Sequence, residues 1–477
     1  MTPWLWFIVV AVGLFWVTSV SGTNSVPVIH TSSGSLVGIG LRSEEKNVNA
    51  YLGIPFAEAP IGKLRFKKPL PVPAWKGVLL ALHKPRGCVQ TDFSVYKDDL
   101  KINMSNTVED CLFLNVWVPR GNTTDGKPFP VLMYLYGGYF SWGSANLHVY
   151  DGAAFATRAQ VIYVTFNYRV GVLGFLNASS PEDPGNMGLY DQLEALRWIN
   201  KNIQFFGGDP NAVTLVGHSA GAISVAYHAT SPLSKGLFHR AVLLSGTPPY
   251  LAYADQIDQS DNFRVVSEAF NCYDRSKSFE SQVEATVECL RKVDAQALVA
   301  QADKALSYRQ LSILPGYGDE LLPNNPLDLD VSEFHVKEIL LGTMKDDGAF
   351  LVTQTYSRTG FGGQLDVLTA FTLILKKFMN VDQASASRIA GEYFDDKANH
   401  EPREMMKNLS LSLTDSLFDC GTSMYSDSAA KHNVTVFRYL FEHRPSYSLW
   451  PDWITGTHTE ELPYFLGTLN ITSTEEK

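Results

Sequence analysis

The sequence predicts an α/β fold, a large and mostly parallel mixed sheet flanked by helices. Three observations predict it. Short β-rich apolar runs recur at 131–136, 161–166, 213–216, 241–244, 339–341 and 434–439. Near-continuous apolar strands of this kind belong in a sheet covered on both faces. Between two of them, Leu189, Leu193, Leu196, Ile199 and Ile203 fall at helical spacing and form one apolar face. Finally, 477 residues with 45% hydrophobic and 12% aromatic side chains suffice to bury a large core. Run alternating with helix is the pattern of parallel strands joined by crossover helices.

The first element is not part of that core. Met1-Thr2-Pro3 precedes an apolar run over 4–20, and Val20-Ser21-Gly22 offers small residues suited to cleavage. Residues 1–22 therefore resemble a secretory signal peptide and place the chain outside the cell. No Lys or Arg precedes the run, so an uncleaved membrane anchor is the alternative. Residues 23–477 read as one domain, without internal repeats or low-complexity linkers. Within it, 251–330 carries less strand signal and reads as an insertion over the sheet's C-terminal edge. The net charge of -10 and the lack of a long basic run argue against a nucleic-acid partner.

Two features agree with secretion. Glycosylation sequons occur at Asn103, Asn122, Asn177, Asn408, Asn433 and Asn470. Four of the five cysteines form two sequence-local pairs, which in a secreted chain suggests the disulfides Cys88–Cys111 and Cys272–Cys289. Each closes a short loop worth about 3 kcal/mol in the chain-entropy account. Buried free thiols are the alternative. Cys420 has no evident partner.

The densest chemical signal is Gly217-His218-Ser219-Ala220-Gly221, a G-x-S-x-G pattern. The run Val213-Thr214-Leu215-Val216 leads into it, and the small residues Ala222, Ser224 and Ala226 follow. A strand, a sharp turn and a tightly packed helix account for this order. Ser219 then stands exposed on the turn as a candidate nucleophile. A serine needs a base, an acid that orients the base, and donors for the oxyanion. In the α/β-hydrolase fold these come in the order Ser, acid, His, each after a strand. Asp347, beyond the run at 339–341, is the acid candidate; a solvated Asp-Asp-Gly turn is its plainer reading. His458, beyond the run at 434–439, is the base candidate, and His443 is its nearest rival. Gly137, Gly138 and Tyr139 follow the run at 131–136, where a glycine pair can turn N–H groups toward one point. The N–H of Ala220 would join them.

With these residues in place, the chain resembles a type-B carboxylesterase, the family that includes cholinesterases, from about residue 30 to its end. Gly53-Ile54-Pro55-Phe56-Ala57 and Leu64-Arg65-Phe66 resemble the N-terminal signature. The segment from Glu109-Asp110-Cys111 to Val116-Trp117 matches the cysteine signature. Asn167-Tyr168-Arg169-Val170-Gly171 and Gly185-Asn186-Met187-Gly188 also match, and Phe206-Gly207-Gly208-Asp209-Pro210 through Gly221 resembles the serine signature. The resemblance implies Ser219 as nucleophile, Asp347 as acid, His458 as base, and Gly138, Tyr139 and Ala220 as oxyanion donors, with Gly137 supporting their loop. Glu461 resembles a buried family glutamate near the histidine, and the two cysteine pairs fit the family's disulfides. It implies a small-molecule ester as substrate and no metal or organic cofactor.

The chain departs from the pattern in five places. Asp347 stands where the family usually has Glu. Tyr139 occupies the third position of a usual Gly-Gly-Gly or Gly-Gly-Ala. Lys101 stands where cholinesterases have a choline-stacking Trp, and His218 where they have Glu, so choline specificity is not expected. Phe93, Tyr96 and Phe350 are the other aromatic candidates, Phe350 at a family aromatic position. Lastly, the chain ends at Lys477, which implies that the family's C-terminal helices, any anchor there and the partner of Cys420 are missing. The expectation is a secreted serine ester hydrolase; a catalytically silent cell-surface adhesion protein is the alternative.

Overall fold

Apolar runs of three to six residues can bury both faces as strands in the middle of a sheet, and five of the six runs do so. The computed structural model describes residues 26–43, 46–91, 106–121, 123, 126–248, 259–306, 313–326, 328, 333–353, 382–394 and 402–468. The signal segment 1–22, Phe93, Tyr96, Lys101, Asn103, Asn122 and Asn470 lie outside the described residues.

The main sheet consists of β1 (Ile39–Ser43), β2 (Lys46–Pro55), β3 (Phe113–Pro119), β4 (Phe129–Leu135), β5 (Ile162–Phe166), β6 (Gly208–His218), β7 (Arg240–Leu244), β8 (Glu338–Met344) and β9 (Thr435–Phe441). Their spatial order is β1-β2-β3-β5-β4-β6-β7-β8-β9. Neighbours from β5 to β9 run parallel. The pairs β1–β2, β2–β3 and β3–β5 run antiparallel. The sheet is therefore mixed and mostly parallel, as the sequence predicts. Its antiparallel part, β1 to β3, has no counterpart among the six apolar runs. The apolar side chains Ile39 and Leu41 alternate with Gly40 and Arg42, a weaker pattern than a buried run.

The last run differs from expectation. It forms β9 at the sheet's edge, where Phe437 and Leu440 are 55% and 53% exposed. An apolar run reads alike at the centre and at the edge of a sheet, because its neighbours are not in the sequence.

The helical face at 189–203 belongs to α1 (Met187–Asn202), continued by a short 3-10 turn at Ile203–Phe206. Helix α2 (Ala220–Thr230) follows β6 directly and is buried almost all round. The described part of 251–330 contributes the helices Gln259–Glu268, Val283–Arg291 and Ala295–Ala305. Their Phe263, Leu290 and Leu298 share a core with Phe140, Ile223 and Phe350, residues that follow the C-terminal ends of β4, β6 and β8. The insertion thus lies where expected. Cys88–Cys111 and Cys272–Cys289 are bonded, and Cys420 is an exposed free thiol. Among the described residues no helix is long and apolar enough to cross a membrane.

Register sets the site. Gly217 of β6 pairs with Leu135 of β4 on one side and with Leu243 of β7 on the other. Gly342 of β8 pairs with Leu244 and with Tyr439. These strands end at one level, so the loops after them converge. In open α/β sheets that edge is where ligands bind.

Candidate active site

Close approach dictates the glycines of the elbow. A Cβ on Gly217 would stand 2.2 Å from the Gly221 carbonyl oxygen, and one on Gly221 would stand 2.2 Å from that of Leu135. No side chain fits at either place, so α2 can pack directly on the ends of β4 and β6. Ser219 sits between them at φ 56 and ψ -126. That is a costly conformation for a residue with a side chain. Its N–H donates to the Leu244 carbonyl at 2.8 Å, and its own carbonyl accepts from Ile223 at 3.0 Å. A Cβ on Gly246 would stand 2.3 Å from the Ser219 oxygen, so the loop after β7 also braces the turn.

The loop after β4 lies against the same serine. A Cβ on Gly137 would stand 2.6 Å from the His218 oxygen and 2.7 Å from the Ser219 Cβ. Gly138 has φ +120, and its missing Cβ would meet the Trp142 oxygen at 2.1 Å. Tyr139 follows at φ 55, in the left-handed region. Among the described residues, the N–H groups of Gly138 and Ala220 donate to no other group.

Asp347 and His458 meet as the sequence suggests. His458 Nδ1 is 2.7 Å from Asp347 Oδ1, and Asp347 is fully buried. The second carboxylate oxygen, Oδ2, accepts from the Met344 N–H at 2.9 Å. Asp347 lies in a tight turn at the end of β8, so its shorter side chain reaches the imidazole from a backbone already close by. The loops bearing the pair are stitched together. Asp346 N–H donates to the Gly456 carbonyl, Thr457 Oγ1 donates to the Asp346 carbonyl, and Glu460 accepts from the Thr457 N–H, all at 2.9 Å. The imidazole stacks on Phe350 at 4.6 Å with planes 14° apart. His443 is exposed and is not among the residues that border the cavity beside Ser219.

Ser219, His458, Gly137, Gly138 and Tyr139 border one cavity of about 290 Å³. Its walls are mostly apolar, with Trp142, Tyr150, Leu449 and Trp450 among them. Sequence reasoning missed these four, since nothing near them in the chain marks them. A second hollow of only about 10 Å³ also borders Ser219, between Tyr139, Ala220, Ile223, Gly246 and Phe418. Among the described residues no hydrogen bond joins Ser219 directly to His458. Catalytic hydrogen bonds are often long without substrate and tighten when it binds.

Two more ionisable groups stand beside His458. The His218 ring lies 4.5 Å from it, centroid to centroid. Glu461 approaches His218 at 3.5 Å and Ser245 Oγ at 3.4 Å. Burial, then the neighbouring His458, holds His218 well below the usual histidine range. Burial, then the charge of Asp347, pushes the Glu461 carboxyl up to about 8. Both directions favour neutral groups, although their spacing would also suit an ion pair.

The sequons differ in setting. Asn433 is exposed in a left-handed turn before β9. Asn408 is half-buried on the helix Pro402–Thr414. The Asn177 amide is half-buried and packs on Gly185, whose missing Cβ would stand 2.7 Å from its nitrogen.

Known proteins resemble this chain over nearly its whole length. A family model described as the carboxylesterase family matches residues 25–477. The acetylcholinesterase of Bungarus fasciatus is 35% identical, covering 100% of this chain and 80% of the relative. Acetylcholinesterase-1 of Trittame loki is 33% identical, covering 92% of this chain and 81% of the relative. Acetylcholinesterase 1 of Caenorhabditis elegans is 33% identical, over 95% and 76%. With its mixed sheet, its serine elbow and these relatives, the chain belongs to the carboxylesterase family, whose members have the α/β-hydrolase fold.

Proposed function

We propose that this chain is a secreted serine hydrolase that cleaves carboxyl esters through an acyl-enzyme. The observation that carries the proposal is the buried Asp347–His458 hydrogen bond opening onto the cavity that Ser219 borders. His458, neutral and held by Asp347, takes the Ser219 proton through Nε2 as Oγ attacks the ester carbonyl. The tetrahedral oxyanion receives the N–H groups of Gly138, Tyr139 and Ala220, each worth roughly 2.7–4 kcal/mol in the transition state. His458 returns the proton to the leaving alcohol, and water then hydrolyses the acyl-enzyme by the same route.

The two cavities support a reading of where the two arms of the ester lie. The leaving alcohol must lie where His458 can protonate it. His458 borders the cavity of about 290 Å³ and not the small hollow, so the alcohol arm takes the cavity. The acyl arm faces the hollow of about 10 Å³, which has room for little beyond an acetyl group. Lys101 and His218 in place of a Trp and a Glu direct this reading to uncharged alcohols, although the relatives bear the name acetylcholinesterase.

Tyr139 favours one rival, a silent adhesion protein, because it borders the cavity at a place where small residues usually form the oxyanion loop. Turnover of nitrophenyl acetate separates the two. Wild type should cleave it and take up one organophosphate on Ser219, and Ser219→Ala should do neither. Absence of turnover in folded wild type, or labelling of another serine, defeats the proposal. A fall in kcat/KM of at least tenfold from acetate to hexanoate is expected; equal values defeat the acyl assignment.

A further inference from the structure

Beside His458 lies a buried pair that the steps above do not use. The side chains of His218 and Glu461 are 3% and 4% exposed, and Nε2 of one stands 3.5 Å from Oε1 of the other. His218 Nε2 and Glu461 Oε2 have no hydrogen-bond partner among the described residues. Two buried polar atoms without a protein partner are costly unless a proton is shared between the groups that carry them. The titratable groups felt by Glu461, or feeling its charge, are Asp347, Glu460, Tyr134, Tyr150 and Tyr439, and none is a cation. His218 is influenced by His458 alone. An ionised Glu461 would therefore find a counter-charge only on a protonated imidazole.

We propose that Glu461 and His218 share one proton as a neutral carboxylic acid–imidazole pair, and that this pair is a positioning unit for His458. The Glu461 O–H donates to His218 Nε2, and the proton stays there through the reaction cycle. The His218 ring then rests on the His458 ring, which also meets the rings of Phe350 and Phe418. Neutrality matters in this place. When His458 takes the Ser219 proton it becomes an imidazolium, and a charged His218 in ring contact would oppose that step. Burial acts in the same sense on both partners, lowering His218 and raising Glu461 to about 8. Above that pH the carboxyl ionises. A carboxylate beside His458 favours its imidazolium, so kcat should rise in a second step.

The kinetic arm of the test rests on the proposed ester hydrolysis; the spectroscopic arm does not. Glu461→Ala should lower kcat for nitrophenyl acetate about 100-fold at pH 7. Glu461→Gln, a neutral donor of similar size, should restore it to within about tenfold of wild type. The rise in kcat near pH 8 should be present in wild type and absent in Glu461→Gln. A Gln variant as impaired as the Ala variant would show that the negative charge is what matters, and would overturn the proposal. Infrared difference spectra of wild type minus Glu461→Gln read the proton without turnover. They should show a carboxylic-acid band at pH 6.5 that is lost by pH 9.5. A carboxylate band at pH 6.5 overturns the pair whatever the activity. If Glu461→Gln does not fold, His218→Gln decides: that acid band should shift in it, and an unshifted band overturns the pair. Wild type that shows the acid band but no turnover would sink the esterase reading and leave the pair standing.

Discussion

Asp347→Asn tests the catalytic reading most sharply, because the structure fixes which way the new amide must turn. Asp347 uses its two oxygens differently. Oδ2 accepts the Met344 N–H at 2.9 Å, and Oδ1 faces His458 Nδ1 at 2.7 Å. An asparagine is close to isosteric, and the residue is fully buried, so the fold tolerates it. Its carbonyl oxygen must take the Met344 side, since an NH₂ there would face another donor. The NH₂ must then point at Nδ1, which has to become an acceptor. The imidazole proton moves to Nε2, the nitrogen that should receive the Ser219 proton. Equivalent changes in serine hydrolase triads lower kcat about 10⁴-fold, or roughly 5 kcal/mol of barrier. The assay is kcat for nitrophenyl acetate at pH 7.5, with organophosphate titration counting intact sites and thermal melting reporting the fold. A variant with unchanged melting and kcat within tenfold of wild type would refute the reasoning, since Asp347 would not be setting the tautomer.

Four further outcomes follow from the packing, the charges and the sequons. Gly221→Ala forces a methyl within 2.2 Å of the Leu135 oxygen, so it should cost about 1–3 kcal/mol in denaturant melts and most of the activity. Gly391→Ala, on the helix Gln383–Tyr393 with open space around it, should instead stabilise by about 0.5–1 kcal/mol. Glu461 should make stability fall with pH. Between about 4.5 and 8 the folded carboxyl keeps a proton that the unfolded chain has released, so unfolding gains about 1.4 kcal/mol per pH unit, at most about 5 in all. Glu461→Gln should flatten that slope in chemical melts from pH 5 to 8, and an unchanged slope would count against it. In a secretory host, endoglycosidase treatment should shift the protein on gels, and Asn433→Gln should remove part of that shift. Asn177→Gln should leave it unchanged, because the Asn177 amide is packed against Gly185.

Legibility in the sequence followed how local each constraint is. The elbow was readable because its glycines answer contacts a few residues away or at a strand end. Asp347 and His458 were readable from chain order, since each follows a strand whose apolar run is itself visible. His443 follows the same strand, but it lies closer to it and next to Arg444, which favours His458. The strands β1 to β3 lie outside the six runs, and of them only β2 and β3 carry residues of the family signatures. The edge position of β9 was not readable, nor were the cavity walls at Trp142, Tyr150, Leu449 and Trp450, because each depends on what tertiary structure brings alongside. The sequon at Asn177 has the same defect: three residues define it, and Gly185 decides its setting. His218 was legible only as a departure from a family residue. Its contact with Glu461 is set by how β6 and the loop after β9 end side by side.

Strain is the last argument for a working site. Three residues that border the cavity and carry side chains have positive φ: Tyr139 at 55°, Ser219 at 56° and Thr459 at 84°. Thr459 is β-branched, for which that conformation is a true outlier. Each costs of order 1–3 kcal/mol and persists only where the surroundings enforce it. The surroundings do so from several directions, with Gly137, Gly221 and Gly246 giving up their side chains to let neighbouring backbone close on Ser219 or its helix. A surface that only binds a partner gains nothing from a serine braced this way, with a hydrogen-bonded acid–base pair opening onto the same cavity. A serine that must present Oγ to a carbonyl while its own turn supplies an oxyanion donor needs that geometry. The strain therefore weighs toward the hydrolase and against the silent rival, and Tyr139→Gly measures it. Relieving that residue should stabilise the loop by about 1 kcal/mol, and catalysis should survive, because the N–H and not the ring does the chemistry. Loss of turnover in a stable Tyr139→Gly variant would show that the ring itself is needed.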